Sequence, residues 1–555
     1  MRISDTLKYF NLVTDKYLNY LKIILLPLIV QLSFCLLFKS SVSAYHVQIA
    51  SPFRGGGCGG DLSFCMLHEQ IARLIDAQFL FSLTDGQKKA IQELARFVVT
   101  PRRHSAFILR GYAGTGKTSL VGALVRVMQQ LQREVVLLAP TGRAAKVFTA
   151  HSGAQASTIY RCIYRQQTFN GESTRFSLGF NKLKHALFIV DEASMIAHSD
   201  STSLFGTGQL LADLIEYVYE GEGCKLLFVG DEAQLPPVGC EESPALSVTE
   251  IKSYGLDVSE VSLTEVVRQE KYSAVLEGAT YLRNLLLQGF EGLPCLKGDD
   301  KSEVRFLPGN ELIEALSDSY AEYGVGDTIV VTRSNKRANV YNNGIRSRIF
   351  DREDELTRGD LVMAVKNNYY WAEQLARTLP KEERLPFDFI ANGDVAEVLQ
   401  IRNVHSMYGF RFADATLRFP DYEDYELTCR VMLSTLTSES PSLTREESQR
   451  LFDAVEADYS DIPQRKERMK QLRQDPYYNA LQIKYAYAIT CHKAQGGQWH
   501  RVFIDQGYVT PEMADASYLR WLYTAYTRTA DRLYLVNWPE EQKMKKSPTK
   551  PPPKG

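Results

Sequence analysis

The chain has 555 residues, 45% of them hydrophobic and 23% charged, which fits a globular protein and excludes a low-complexity or strongly acidic disordered one. Lys and Arg number 64 against 66 Asp and Glu, so the net charge is -2 and no global positive field gathers nucleic acid; any such site has to be a local groove. Room exists for three or four domains at about 150 residues each, and the nine Cys, with no C-x-x-C pair, argue against a zinc ribbon or an iron-sulfur cluster and for reduced thiols.

The chain opens on an apolar run, Ile23 to Phe38, preceded by Lys16 and Lys22 and followed by Val42-Ser43-Ala44, a small-residue site of the kind signal peptidase cuts. The run is shorter than the ~20 residues a spanning helix needs, and Pro27 interrupts it. A Gly-rich stretch, Arg54 to Gly60, follows before helical periodicity begins at Met66.

The strand Ala106 to Leu109 runs directly into Gly111-Tyr112-Ala113-Gly114-Thr115-Gly116-Lys117-Thr118, and apolar residues then recur at helical spacing from Leu120 to Leu131. Strand, G-x-x-x-x-G-K-[ST] and helix together form the context a phosphate-binding P-loop requires. Its glycines let backbone N–H groups face phosphate oxygens, Lys117 reaches the terminal phosphates and Thr118 ligates Mg²⁺. A second buried strand, His185 to Val190, ends in Asp191-Glu192, where Asp191 is expected at Mg²⁺ and Glu192 as the base that polarises the attacking water. A third, Leu226 to Val229, leads into Gly230-Asp231-Glu232-Ala233-Gln234, with Gln234 a sensor of the γ-phosphate. Strands alternating with helices predict an α/β fold with parallel, doubly wound sheets and the ligand at their carboxyl edge. A guanine-reading N-K-x-D segment is missing its acid, since Asn335-Lys336-Arg337 is followed by Ala338.

Far downstream come Thr490-Cys491-His492-Lys493-Ala494-Gln495-Gly496 and Tyr523-Thr524-Ala525-Tyr526-Thr527-Arg528. With DEAS and GDEAQLPPV ahead of them in this order, the succession resembles the motif set of superfamily 1 helicases, specifically the RecD-like and Dda-like group, over about residues 67 to 540. The resemblance implies two RecA-like P-loop domains closing on one ATP, with a β-hairpin insertion and a small β-barrel insertion. It assigns Arg268 and Arg528 as the arginines that neutralise charge on the transferring phosphoryl group, and Gln87, in a segment like the family's Q motif, as a partner of the adenine edge; Thr84 is equally a plain helix N-cap.

DNA contacts are expected from Thr141 and Arg143, from Thr158 and Arg161, and from Thr332, Asn335, Thr490 and His492 on the second domain. Asn170-Gly171 marks a hairpin at about 164–180, with Phe169 or Phe176 placed to meet a duplex junction, an ordinary surface hairpin being the alternative. The implied activity is ATP- and Mg²⁺-dependent translocation of a monomer on single-stranded DNA, 5′ to 3′, with duplex unwinding in repair, recombination or replication. The alternative is an ATP-binding switch subunit without motor activity.

The expected organisation is residues 66–260 for the first RecA-like domain, 261–354 with 481–540 for the second, 355–480 for the inserted barrel with a charged, solvated helix at 443–472, and 541–555 for a disordered Lys/Pro tail. Because ATP is confined to the cell interior, residues 1–65 are expected to be upstream translation from a misplaced start and the protein to be cytoplasmic; a signal or an inner-membrane tether is the alternative.

Overall fold

The computed structural model describes residues 60–544 apart from 170–171, 199–206, 268–272, 300, 381–384 and 388. The apolar run at 23–38 and the Lys/Pro segment 545–555 lie outside the described residues. No helix among them is long and apolar enough to cross a membrane.

The first lobe is built on strands β1 (Ser105–Gly111), β2 (Val135–Ala139), β3 (Ala156–Thr158), β6 (Leu187–Val190), β7 (Lys225–Gly230) and β8 (Asp257–Leu263), with β4 (Tyr164–Phe169) and β5 (Glu172–Leu178) standing apart as an antiparallel hairpin. The six run parallel in the order β3-β2-β6-β7-β1-β8. Helices cover both faces, so β6 is buried at every position, which is why its sequence is a continuous apolar run rather than an alternating one.

The second lobe holds β9 (Val304–Leu307), β10 (Thr328–Thr332), β16 (Ala488–Thr490), β17 (Trp499–Asp505) and β18 (Thr529–Val536), parallel in the order β16-β10-β17-β18-β9. Between β10 and β16 the chain leaves the sheet to form a closed five-stranded barrel of β11 (Leu361–Ala364), β12 (Val395–Met407), β13 (Phe410–Phe419), β14 (Tyr425–Met432) and β15 (Leu481–Tyr485). Along β14 buried and exposed side chains largely alternate, as a one-sided barrel wall requires. Tyr408 (φ 53) and Gly409 (φ 76) join β12 to β13 in a turn with two left-handed residues, the kind that matches strand twist.

Three expectations are corrected. The barrel extends past 480, because Leu481–Tyr485 pairs with β11 and β14 before the chain turns at Ala486-Tyr487 into β16. The charged stretch is two helices, Arg445–Asp458 and Arg465–Arg473, and they are not wholly solvated. Their Leu451, Val455 and Leu472 pack into one apolar cluster with Phe410, Phe412 and Met432 of the barrel. Finally, 541–544 is pinned rather than disordered: Gln542 is buried, its carbonyl accepts Leu296 N–H at 2.7 Å, and Met544 N–H returns to Leu296 O at 2.8 Å.

Candidate functional site: a seam between two lobes and the groove beside it

At the end of β1 the loop turns through Gly114 (φ 71) and Gly116 (φ 82) into the helix Lys117–Gln130. Gly116 caps that helix without any side chain, so its first N–H groups have no intrahelical acceptor and its positive dipole end is open to an anion. Close packing dictates glycine here. A Cβ on Gly111 would stand 2.8 Å from Lys117 Cγ, and one on Gly116 2.6 Å from Gln87 Nε2. Lys117 Nζ donates to the carbonyls of Gly111 and of Tyr112 (3.0 Å) and stands 4.0 Å from Asp231 Oδ2. The Thr115 hydroxyl bonds Tyr112 O at 2.8 Å, tying the loop across itself.

Gln87 is buried, but its amide faces the loop rather than an open pocket: Nε2 donates to Thr115 O at 3.1 Å and Oε1 accepts Thr84 N–H at 3.0 Å. Thr84 returns the bond in a complete capping box, so the N-cap reading of Thr84 and the looping role of Gln87 coexist.

After β6, Asp191 Oδ1 accepts the Glu192 N–H at 2.9 Å, and burial, followed by the Glu192 charge, pushes Asp191 up to about 6. Glu192 sits at φ 50, a left-handed conformation that costs a non-glycine residue about 1–3 kcal/mol and concentrates at functional turns. Gln234 is buried with its Oε1 lacking any hydrogen-bond partner, a polar atom left over for something other than the fold. An open helix terminus, a lysine, two carboxylates and an orphaned amide form a donor set that suits Mg·ATP, with Thr118 and Asp191 the groups that would hold the ion.

The second lobe reaches into this set. Arg528, 4% exposed, places its guanidinium 3.7 Å from Glu192 Oε1 while bonding Thr524 O at 3.2 Å and Gly497 O at 3.3 Å. Leu235 N–H donates to the Thr524 hydroxyl at 2.8 Å, Gln495 Nε2 to Leu235 O at 2.7 Å, and the Arg283 guanidinium lies 4.6 Å over the Tyr112 ring. Arg268 lies outside the described residues; Val267, just before it, donates to the loop carbonyl of Gly114 at 3.0 Å.

Beside the seam runs an open groove of about 1400 Å³. Six of the expected DNA residues line it: Thr141, Arg143 and Thr158 from the first lobe, Asn335, Thr490 and His492 from the second. Thr141 and Thr158 cap their helices, accepting Ala144 N–H at 3.2 Å and Arg161 N–H at 3.3 Å, and each hydroxyl keeps its proton to donate. Arg143 crosses between lobes, lying 4.0 Å over the Trp499 ring and donating to Gln498 O at 3.4 Å. The lobes touch so closely here that a Cβ on Gly496 would meet Ala144 Cβ at 2.8 Å.

Two expected contacts are corrected. Thr332 is fully buried in the wholly buried strand β10, and its hydroxyl bonds Ser334 O (3.1 Å) and Ile489 O (3.4 Å) instead of facing the groove. Arg161 donates to Pro386 O and is not among the residues that line the groove. The side chains of Phe169 and Phe176, and Asn170-Gly171 themselves, lie outside the described residues, although the flanking strands pair as expected.

Sequence reasoning passed over Asp231, Gln495 and Tyr523 at the seam and Lys146, Tyr160, Lys493 and Trp499 in the groove. Most lie inside or beside the recognised motifs, so the signal was present but not the direction each side chain takes.

Residues 82–284 match the family model of an AAA domain, and residues 485–536 match that of the UvrD-like helicase C-terminal domain. An uncharacterized protein of Methanocaldococcus jannaschii is 24% identical over 487 residues, covering 81% of this chain and 38% of that one. The ATP-dependent RecD2 DNA helicase of Deinococcus radiodurans is 30% identical over 201 residues, 36% of this chain and 23% of its own. The ATP-dependent DNA helicase dda of Enterobacteria phage T4 is 24% identical over 446 residues, 76% of this chain and 92% of its own. The chain thus spans well under half the length of the first two relatives and nearly all of the phage protein. The P-loop, the strand-end acids and the second-lobe arginine thus lie in a chain that carries matches to an AAA domain and to a UvrD-like helicase C-terminal domain and is similar, over the shares given, to the RecD2 and dda helicases.

Proposed function

We propose that this chain is an ATP-dependent DNA helicase that translocates 5′ to 3′ on single-stranded DNA as a monomer and unwinds duplex. The observation that carries the reading is Arg528, supplied by the second lobe, standing 3.7 Å from Glu192 of the first. Hydrolysis at such a seam needs groups from both lobes, so the chemistry is tied to their relative position.

The open end of the Lys117–Gln130 helix and the Lys117 ammonium bind the phosphates. Glu192 takes the proton of the attacking water, Gln234 orients that water, and Arg528, with Arg268, neutralises the charge that develops on the transferring group. A magnesium ion at Thr118 and Asp191 supplies further charge neutralisation when bound. The groove takes the strand: hydroxyls and cations from both lobes grip successive phosphates, and Tyr160 offers a ring surface. Because the groove walls belong to the same two lobes as the seam, closing one shifts the other, which is how a ligand that favours one arrangement moves the track.

Strand separation on 5′-tailed and 3′-tailed duplexes, with wild type and Lys117→Ala, tests the reading. Unwinding of the 5′-tailed substrate alone, abolished in the variant, is expected. ATP binding without stimulation of hydrolysis by single strands would favour a switch subunit instead.

A further inference from the structure

One side chain at the seam carries a contact that no motif role accounts for. Tyr523, 1% exposed, projects from the helix Ala516–Tyr526 of the second lobe. Its hydroxyl accepts the Ala113 N–H at 2.8 Å and donates to Asp231 Oδ2 at 2.6 Å. A phenol has one proton, and these two bonds fix its use: the proton goes to the carboxylate and a lone pair to the loop. Asp231 is itself 1% exposed, its other oxygen accepts Ala233 N–H at 3.0 Å, and Lys117 Nζ is the nearby cation at 4.0 Å. A buried carboxylate with fewer partners would be costly, so Tyr523 fixes Asp231, and through it the neighbourhood of Lys117.

Ala113 belongs to the phosphate loop, but on the side away from the helix terminus. The N–H groups at Lys117 and Thr118 open the helix and suit the inner phosphates, whereas the Ala113 N–H points to the second lobe, where it meets Tyr523. The terminal phosphate is the part of ATP that Arg528, also on the second lobe, has to reach. We propose that Tyr523 is a positioning residue that exchanges the Ala113 N–H with the terminal phosphate of ATP. A third phosphate then releases the tyrosine from the loop, and a nucleotide without one leaves the bond intact. The second lobe thereby distinguishes ATP from ADP through one hydroxyl. This rests on the seam being the ATP site, as proposed above.

Tyr523→Phe removes the oxygen and keeps the ring in its buried place. Titration calorimetry of ATPγS and of ADP, without DNA, compares the variant with wild type. Having no bond to the loop to give up, Y523F is expected to shift the ratio of the ADP to the ATPγS dissociation constant in favour of ATPγS by about two- to tenfold, the worth of one net hydrogen bond, over and above whatever common change the loss of the Asp231 bond brings to both nucleotides. Equal shifts for both nucleotides, or none for either, would overturn the exchange. Should Y523F not fold, wild-type protein labelled with ¹⁵N-alanine reads the same bond. The Ala113 amide resonance, assigned by its loss in Ala113→Gly, is expected to move on adding ATPγS and to stay on adding ADP, and equal movement with both would overturn the proposal. Neither measurement uses DNA or turnover. A chain that passes them and fails to unwind sinks the motor reading alone, while one that unwinds and responds equally to both nucleotides sinks only the exchange.

Discussion

Each lobe has a fourteen-residue helix that follows the carboxyl end of a parallel strand, Lys117–Gln130 after β1 and Asn335–Arg348 after β10. The two differ in how they begin. Ser334 closes the second helix in the ordinary way, its hydroxyl accepting the Arg337 N–H at 3.2 Å from an extended backbone. Gly116 leaves the first open, with a left-handed φ of 82 and no side chain to compete for the exposed N–H groups. The same strand-turn-helix unit therefore opens its helix terminus to an anion in one lobe and closes it with a side chain in the other, where Asn335 lines the groove. Fold alone does not place the chemistry; the turn does.

Among changes to the two turns and the groove, changing the open turn should have the largest effect. Gly116→Ala puts a methyl 2.6 Å from Gln87 Nε2 and forces a non-glycine residue to φ 82. A stability loss of about 1–3 kcal/mol is expected, read by thermal unfolding, together with an ATP affinity weakened at least about tenfold. Binding and stability near wild type would show that the glycine is not what keeps the site open.

The groove, which both lobes share, should respond to pH. Burial, reinforced by the nearby Lys484 charge, pushes Lys493 down to about 8. Its ammonium is charged below that value and lost above it, so affinity for single-stranded DNA should fall as pH rises through 8, by about two- to fivefold, with a shallower salt dependence at the higher pH. Lys493→Arg, which stays charged, should flatten the profile. A pH response that survives in that variant would assign it to another group.

Ser334→Gly, which opens the closed turn, is the smallest change. It should cost only a few tenths of a kcal/mol and create no second nucleotide site, because Asn335 stands directly after the turn where Lys117 follows Gly116, and the next residue, Lys336, pairs with Glu439 at 3.2 Å. One ATP per chain in a binding titration would agree, and two would mean that an uncapped helix suffices.

The first lobe was legible in the sequence because everything in it is local. A buried strand shows as an apolar run, and the chemistry follows within eight residues, as from β1 to Lys117 or from β6 to Glu192. What was not legible is direction. Thr332 stands at a strand end like Thr490, but β10 is buried at every position and flanked by β16 and β17, so its hydroxyl has nowhere to turn but inward. Tyr523 lay within a recognised block, and nothing in its spacing could reveal a partner at Ala113, 410 positions earlier. The apolar stretch from Leu481 to Thr490 reads as continuous, although it serves two sheets through a turn at Ala486-Tyr487.

The central claim is that hydrolysis needs groups from both lobes, and single-turnover hydrolysis of ATP by Arg528→Ala on single-stranded DNA tests it most directly. A rate lower by about 10³-fold or more, with ATP still bound within severalfold of wild type, is the predicted result. Hydrolysis at a near wild-type rate would contradict the account.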